Sequence, residues 1–192
     1  MKKFLVLITI ISALLIPACG FAEGWTPGSD EYWIRINKAR LQLTLYKGKS
    51  SVVSYPVAIG RGRGTVKKSR FDFITPAGSY TIWRVIQDAK KIKYDPSWFN
   101  EPGEAKAGVY GSKLISFRNN WQIAIHGTSS PRSIGRRVTH GCIRLRNRDI
   151  TQLVKFVHPP MHLEIVEGAA GESKGYSGTQ AVKERALIKE SI

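Results

Sequence analysis

One cysteine and two histidines lie close together in this chain, and their chemistry can support nucleophilic catalysis. His126, His140 and Cys142 all fall within the segment 123–149. A free thiol has a pKa near ~8.5, so a thiolate at neutral pH needs a base or an imidazolium beside it. The segment therefore predicts a cysteine nucleophile at Cys142, with a histidine to activate it.

The local pattern around these residues predicts how they are brought together. His140 precedes Cys142 by two positions, which places both side chains on one face if the backbone is extended. Gly141 between them permits a conformation in which amide N–H groups point at a developing oxyanion. His126 ends an alternating run, 121–125, that is typical of a strand. The loop after it must fold back for His126 to reach Cys142.

Each of these residues also has a purely structural interpretation. A single cysteine in a half-apolar strand is usually a small buried hydrophobic residue. A single histidine is usually a satisfied polar residue, and short motifs often match by chance. The combination of Cys142, two histidines and the neighbouring glycines favours catalysis over these separate explanations.

The motifs around these residues resemble the signature of the L,D-transpeptidase catalytic domain family (YkuD-type). The similarity covers roughly Tyr32 to Val166, and Thr139 stands where the family usually has serine, which keeps the hydroxyl. The matching stretches are Tyr55–Gly60, Thr75–Tyr80, Gly108–Gly111, His126–Thr128, Ser133-x-Gly135, Thr139–Leu145, Asn147 and Asp149.

The resemblance implies an enzyme, a cysteine acyltransferase that acts on peptidoglycan stem peptides without a cofactor. His126 would accept the proton of Cys142, and the thiolate would attack the tetrapeptide stem and release D-alanine. Transfer of the thioester to an amine would form a 3-3 crosslink. In the same site, His140 would tune the thiolate or orient the substrate.

The resemblance also implies supporting roles for other residues of the motifs. The Gly141 and Cys142 amides would hold the oxyanion, and the Gly127 carbonyl would orient His126. For Arg144, a structural brace is as good an interpretation as binding of a stem carboxylate. The predicted substrate-binding residues are Arg144, Thr139, Ser133 and Tyr110.

Other functions remain open on the same residues. Water or another amine can resolve a thioester, which leaves a peptidoglycan hydrolase, an L,D-carboxypeptidase or a ligase for an envelope lipoprotein as alternatives. A non-catalytic basic module that binds the cell wall is an alternative of another class. A sortase-like enzyme would need a longer spacing between histidine and cysteine, and a papain-like peptidase places the cysteine first.

The elements that must position these residues are mainly strands. Alternating runs at 32–36, 41–46 and 51–59 predict an antiparallel meander, and residues 80–86 predict a further strand. The resemblance implies an antiparallel sandwich or barrel-like domain with one or two short helices. Residues 88–106 have no clear period and predict a long loop or lid. Residues 147–157 have helical spacing, with Asn147 or Asp149 as the cap.

The sequence predicts three segments. Residues 1–22 have the layout of a signal peptide, residues 31–167 form the catalytic domain, and residues 168–192 form a Gly- and Ser-rich tail. Cleavage after Ala22 is favoured over lipid attachment at Cys19, because Pro17 fits lipoprotein processing poorly. Export to the periplasm or cell envelope would leave Cys142 without a partner, and catalysis explains an unpaired thiol.

The net charge of the chain indicates which kinds of partner it attracts. A net charge of +16 predicts attraction to anionic polymers and membrane surfaces, which the cell envelope offers. Export argues against nucleic acid, the other common partner of such charge. His158 and His162 are separated by prolines, so no metal site is predicted there or elsewhere. The pattern carries no prediction of oligomeric state.

Overall fold

The fold is known from a computed structural model, which describes residues 25–168. Strands dominate that part of the chain. They are β1 (Tyr32–Asn37), β2 (Gln42–Lys47), β3 (Ser50–Pro56), β4 (Ile59–Gly60), β5 (Gly78–Ile86), β6 (Lys93–Tyr94), β7 (Lys106–Ala107), β8 (Leu114–Phe117), β9 (Ala124–His126), β10 (Arg137–Thr139), β11 (Ile143–Arg144) and β12 (Met161–Val166).

The alternating sequence pattern explains the first strands. Ile34 and Ile36 of β1 and Leu43 and Leu45 of β2 are fully buried. The two strands pair antiparallel, with Ile34 opposite Leu45, and β2 pairs antiparallel with β3. Burying alternate side chains on one face of a sheet is what a period of two achieves. The predicted meander is confirmed.

Eight strands form one sheet in the order β11-β9-β8-β5-β12-β1-β2-β3. Most neighbours are antiparallel, but β12 runs parallel to β1 and β11 runs parallel to β9. Two further two-stranded sheets pair β4 with β10 and β6 with β7. The mainly β class is therefore confirmed, and the large sheet is mixed rather than purely antiparallel.

The helix that follows the motif is short. Helix α1 (Asn147–Leu153) buries Ile150 and Leu153 and continues into a 3-10 turn, Val154–Phe156. Its N-cap is Arg146, which makes no side-chain capping bond. The prediction of Asn147 or Asp149 as the cap is wrong, because the Asn147 side chain binds the backbone of neighbouring loops instead.

The predicted loop at 88–106 has internal structure. It contains 3-10 helices at Ala89–Lys91 and Pro96–Phe99, and strand β6, between these helices, pairs with β7 at its C-terminal end. Phe99 and Tyr94 stack on each other. This segment, residues 88–107, is called the flap below. The remaining 3-10 helices of the described region are Arg70–Asp72 and Pro131–Ser133.

Two of the three predicted segments lie at the ends of the chain. The proposed signal peptide, residues 1–22, lies outside the described residues, as does the tail from residue 169 onwards. Between residues 25 and 168, no helix has the length and apolar character needed to cross a membrane.

Candidate active site

A single cleft unites most of the predicted site residues. It has a volume of about 590 Å³, and Cys142, His126, His140, Arg144 and Tyr110 all line it. These residues come from β9, β11, the turn before β11 and the segment that follows the flap. The fold therefore assembles the cleft from parts of the chain that are distant in sequence.

Parallel pairing of β9 and β11 brings the histidine to the cysteine. Ile143 lies opposite Ile125 and Arg144 lies opposite His126. Cys142, just before β11, therefore lies beside Ala124, whose backbone hydrogen-bonds to its sulfur. The loop after His126 folds back, as the sequence analysis required.

His126 is held in one tautomer. Its Nδ1 lies 2.5 Å from the Gly127 carbonyl oxygen. A carbonyl can only accept, so Nδ1 carries the proton and Nε2 keeps its lone pair. The ring is buried, with 2% of the residue exposed. Burial, followed by the charge of Arg144, lowers the pKa of His126 to about 4, so it is neutral at pH 7.

Cys142 is also uncharged at rest. Its free thiol is half-buried. Burial raises the pKa of Cys142, and this effect outweighs the Ala124 backbone and the charges of Arg144 and Lys67, which lower it. The resting site thus holds a neutral thiol and a neutral imidazole rather than a preformed ion pair.

His140 does not share a strand with Cys142, so the prediction of a common strand face is wrong. Strand β10 ends at Thr139 and β11 begins at Ile143. Between them, Gly141 adopts a φ of +134°, and a Cβ there would lie 2.9 Å from the Ile74 carbonyl oxygen. The glycine breaks the extended backbone, so the alternation of side chains stops at this turn.

The turn before Cys142 is held by two threonines. The Thr139 hydroxyl accepts from the Gly141 amide at 3.1 Å and donates to the Cys142 carbonyl at 2.6 Å. The Thr75 hydroxyl donates to the Gly141 carbonyl at 2.7 Å. The hydroxyl of Thr139, predicted to bind substrate, is thus engaged within the turn. The Gly141 amide, predicted to hold the oxyanion, already has an acceptor.

The other predicted substrate-binding residues differ in their placement. The Tyr110 ring lies 5.0 Å from the His126 ring, edge to face. Arg144 lines the cleft, and its buried Nε has no hydrogen-bond partner among the described residues. Ser133 lies in a 3-10 helix outside the cleft lining, where its hydroxyl donates to the Ser130 carbonyl at 2.7 Å.

Sequence reasoning missed three residues around the site. Lys67 lines the cleft and pairs with Asp72 at 2.7 Å. Glu101 contacts His140 from the flap. Asn147 was noted only within the motif and as a helix cap, but its amide bridges the loops at 112 and 128. Lys67 and Glu101 lie in stretches without clear periodicity, and no local pattern marks them.

Clusters of possible metal ligands are absent from the part of the chain that the structure covers. No group of three or more His, Cys, Asp or Glu side chains there is placed to hold an ion. The groups that line the cleft include a thiol, two imidazoles, two guanidinium groups, an ammonium group and two phenols.

A family model matches most of the chain, and several known proteins are similar to it. The model of the L,D-transpeptidase catalytic domain family matches residues 31–175. The probable L,D-transpeptidase YcfS of Escherichia coli is 28% identical over 174 residues, which is 86% of this chain and 53% of the relative. The putative L,D-transpeptidase YkuD of Bacillus licheniformis is 30% identical over 131 residues, 68% of this chain and 63% of the relative.

Solved structures share the fold. L,D-transpeptidase 3 from Mycobacterium tuberculosis, in complex with a faropenem-derived adduct, superimposes with a TM-score of 0.52 at 16% identity. The alignment covers 70% of this chain and 59% of that one. The chain spans between half and two thirds of the length of these relatives.

Proposed function

Because the chain belongs to the L,D-transpeptidase catalytic domain family, we propose that it is a peptidoglycan L,D-transpeptidase with Cys142 as its nucleophile. One observation carries the proposal. The paired strands β9 and β11 place His126, in the tautomer that leaves Nε2 free to accept a proton, in the same cleft as the Cys142 thiol.

In the first half of the reaction, His126 Nε2 takes the thiol proton as the sulfur attacks a carbonyl of the tetrapeptide stem. A C–S bond forms and the amide C–N bond breaks. The imidazolium returns the proton to the departing amine of D-alanine, which leaves a thioester on Cys142. The Gly127 carbonyl, 2.5 Å from Nδ1, keeps the ring oriented and stabilises its charged form.

In the second half, an acceptor amine attacks the thioester. His126 accepts a proton from the amine, the new amide bond forms, and the thiolate leaves and is reprotonated by the imidazolium. When the amine comes from another stem, the product is a 3-3 crosslink. Water in the same position gives hydrolysis, and an amine of an envelope lipoprotein gives ligation.

The remaining groups support this sequence of steps. The Cys142 amide is the oxyanion donor at the turn, because the Gly141 amide already donates to Thr139. The buried, unpartnered Nε of Arg144 is suited to a stem carboxylate. Because substrate of this kind is found in the cell envelope, the proposal includes action outside the cytoplasm.

The test is incubation of the protein with a disaccharide tetrapeptide, followed by mass spectrometry of protein and products. A thioester on Cys142, released D-alanine and a crosslinked dimer are expected. Cys142→Ala should abolish all three, and His126→Ala should slow thioester formation, with circular dichroism to confirm that both variants fold. Release of tripeptide alone would assign a carboxypeptidase. No adduct would refute the proposal and favour a wall-binding module.

A second probe of the nucleophile comes from the M. tuberculosis relative and its faropenem-derived adduct. We expect faropenem to acylate this protein on Cys142, since a β-lactam carbonyl presents the thiolate with a strained amide. Intact-protein mass spectrometry should show a covalent adduct on the wild type and none on Cys142→Ala. An adduct that persists in the variant would show that another group reacts.

A further inference from the structure

We infer that Glu101, on the flap, is a positioning residue of this active site that acts through His140. The inference rests on the proposed function for its kinetic consequence. Its structural part is that the Glu101 carboxylate fixes the orientation of the His140 ring and the position of its proton. That part depends only on the contacts described below.

The strongest contact lies between the carboxylate and the imidazole. Glu101 Oε1 lies 2.7 Å from His140 Nε2. A carboxylate can only accept, so Nε2 must carry a proton. The Tyr94 hydroxyl lies 3.3 Å from the other ring nitrogen, Nδ1. Both nitrogens therefore face the flap: Nε2 donates to Glu101, and Nδ1 lies against the Tyr94 hydroxyl, whose single proton is donated to Glu101 Oε2.

The faces of the His140 ring are also packed. Phe99 stacks on it with ring centroids 4.1 Å apart and planes 13° apart. Phe73 contacts it with a centroid separation of 5.1 Å. Stacking fixes the plane of the ring, and the bond to Glu101 fixes its rotation within that plane.

Glu101 is itself anchored. Its Oε2 accepts from the Tyr94 hydroxyl at 3.3 Å, and Arg61 Nη2 lies 3.4 Å from Oε1. The Arg61 guanidinium in turn covers the Phe73 ring at 3.9 Å. Hydrogen bonding to His140 lowers the pKa of Glu101, so the carboxylate stays ionised at neutral pH.

These contacts fasten the flap to the turn that carries the nucleophile. His140 directly precedes Gly141 and Cys142, and the turn depends on the glycine at φ +134°. Tyr94 and Phe99 also line the cleft. The Glu101–His140 bond therefore fixes two parts of the site. One is the position of the flap residues that line the cleft, and the other is the backbone of the turn that carries the Cys142 amide.

The test compares Glu101→Gln with Glu104→Gln, which removes the same charge from an exposed position on the same flap. The pKa of His140 is read from its ring C–H signals by NMR. The charged groups around His140 are Glu101, Arg61 and Arg144, with the Tyr94 phenol. Because Glu101 alone among these raises the pKa of His140, Glu101→Gln should lower it and Glu104→Gln should not.

Kinetics test the consequence for catalysis. In Glu101→Gln we expect kcat to fall on the order of tenfold with KM nearly unchanged, because the reacting groups are displaced and binding is retained. Glu101→Asp, which keeps the charge, should recover part of kcat, and Glu104→Gln should match the wild type. An unchanged kcat in Glu101→Gln would overturn the positioning role.

The two proposals fail in distinguishable ways. If the wild type forms no crosslink, the proposed function fails, whereas Glu101 is still judged by the NMR titration and by the rate of Cys142 alkylation with iodoacetamide. Glu101→Gln should change both measurements. If it changes neither, the contact has no role in solution and the inference is wrong.

Discussion

The thiol of Cys142 is uncharged in the resting site, and its reactivity should show this. Burial raises the pKa of Cys142. The rate of its alkylation by iodoacetamide should therefore keep rising at pH values where the rate for an ordinary thiol has already levelled off. Arg144 lowers that pKa through its charge, so Arg144→Gln should move the profile to still higher pH. The measurement is the alkylation rate against pH by mass spectrometry.

Arg148→Gln is the matched control, because Arg148 is exposed and lies outside the cleft lining. The alkylation rate of Arg148→Gln should depend on pH in the same way as that of the wild type. A plateau reached below pH 7 in the wild type would contradict the neutral pair and establish a thiolate–imidazolium pair in the free enzyme.

His126 should make folding stability depend on pH. Its pKa is about 4 in the folded protein and about 6.5 when unfolded. Only the unfolded chain binds the proton between these values, so stability is lost as pH falls from 6.5 to 4. Between pH 7 and pH 5, the loss due to His126 is about 2 kcal/mol.

Urea unfolding at the two pH values measures this effect. His126→Gln should lose about 2 kcal/mol less than the wild type over the same interval. His158→Gln, which removes an exposed histidine, should retain the full loss. Equal losses in the wild type and His126→Gln would show that His126 is not buried in its neutral form.

At the scale of single residues, the sequence predicted that Cys142 and His126 share a site, and the fold does bring both into one cleft, but the sequence missed part of its surroundings. Cys142 and His126 fall in one short segment with glycines, where residue type and spacing are informative. Glu101 reaches His140 across 39 positions. The Gly141 amide was predicted to be free, but Thr139 occupies it. Such contacts depend on tertiary structure that no local spacing records.

Among the elements, helix α1 supports the loop behind His126 through Asn147. Asn147 Oδ1 accepts from the amides of Ser112 and Thr128, each at 3.0 Å, and Nδ2 donates to the Thr128 carbonyl at 3.0 Å. Asn147→Ala should destabilise the protein by about 1 to 2 kcal/mol, because the Ser112 and Thr128 amides lose their acceptor and water compensates in part.

Thermal or urea unfolding measures that loss, and acylation by faropenem should slow as the Gly127–Thr128 segment loosens. Asn147→Asp keeps the acceptor for both amides and should lose less stability than Asn147→Ala. Equal losses in the two variants would contradict the role of Oδ1 as the shared acceptor.

The elements were predicted well where the period was clear. Strands β1, β2 and β5 follow from alternation, and α1 follows from helical spacing. The parallel pair β1–β12 joins segments far apart in sequence, and the parallel pair β9–β11 joins strands across a loop without a period. Local patterns do not specify such partners. The flap was predicted as a loop because its 3-10 helices are three or four residues long and leave no periodic signal.

For the whole molecule, the net charge of +16 should make association with anionic surfaces depend on salt. The Debye length falls from about 10 Å at 0.1 M to about 3 Å at 1 M ionic strength. Binding to phosphatidylglycerol vesicles, measured by co-sedimentation, should therefore be strong at low salt and lost at high salt. Vesicles of phosphatidylcholine are the control, and salt-independent binding would contradict an electrostatic origin.

The position of β12 also has a consequence for the synthesis of the protein. This last strand lies between β5 and β1, so the meander β1–β3 joins the rest of the large sheet only through residues 161–166. A ribosome makes these residues after every other strand between residues 25 and 168. Until residues 161–166 emerge, β1 and β5 each have one edge without a neighbouring strand. Unpaired strand edges favour aggregation. The growing chain therefore carries Cys142 before the sheet that positions it can close.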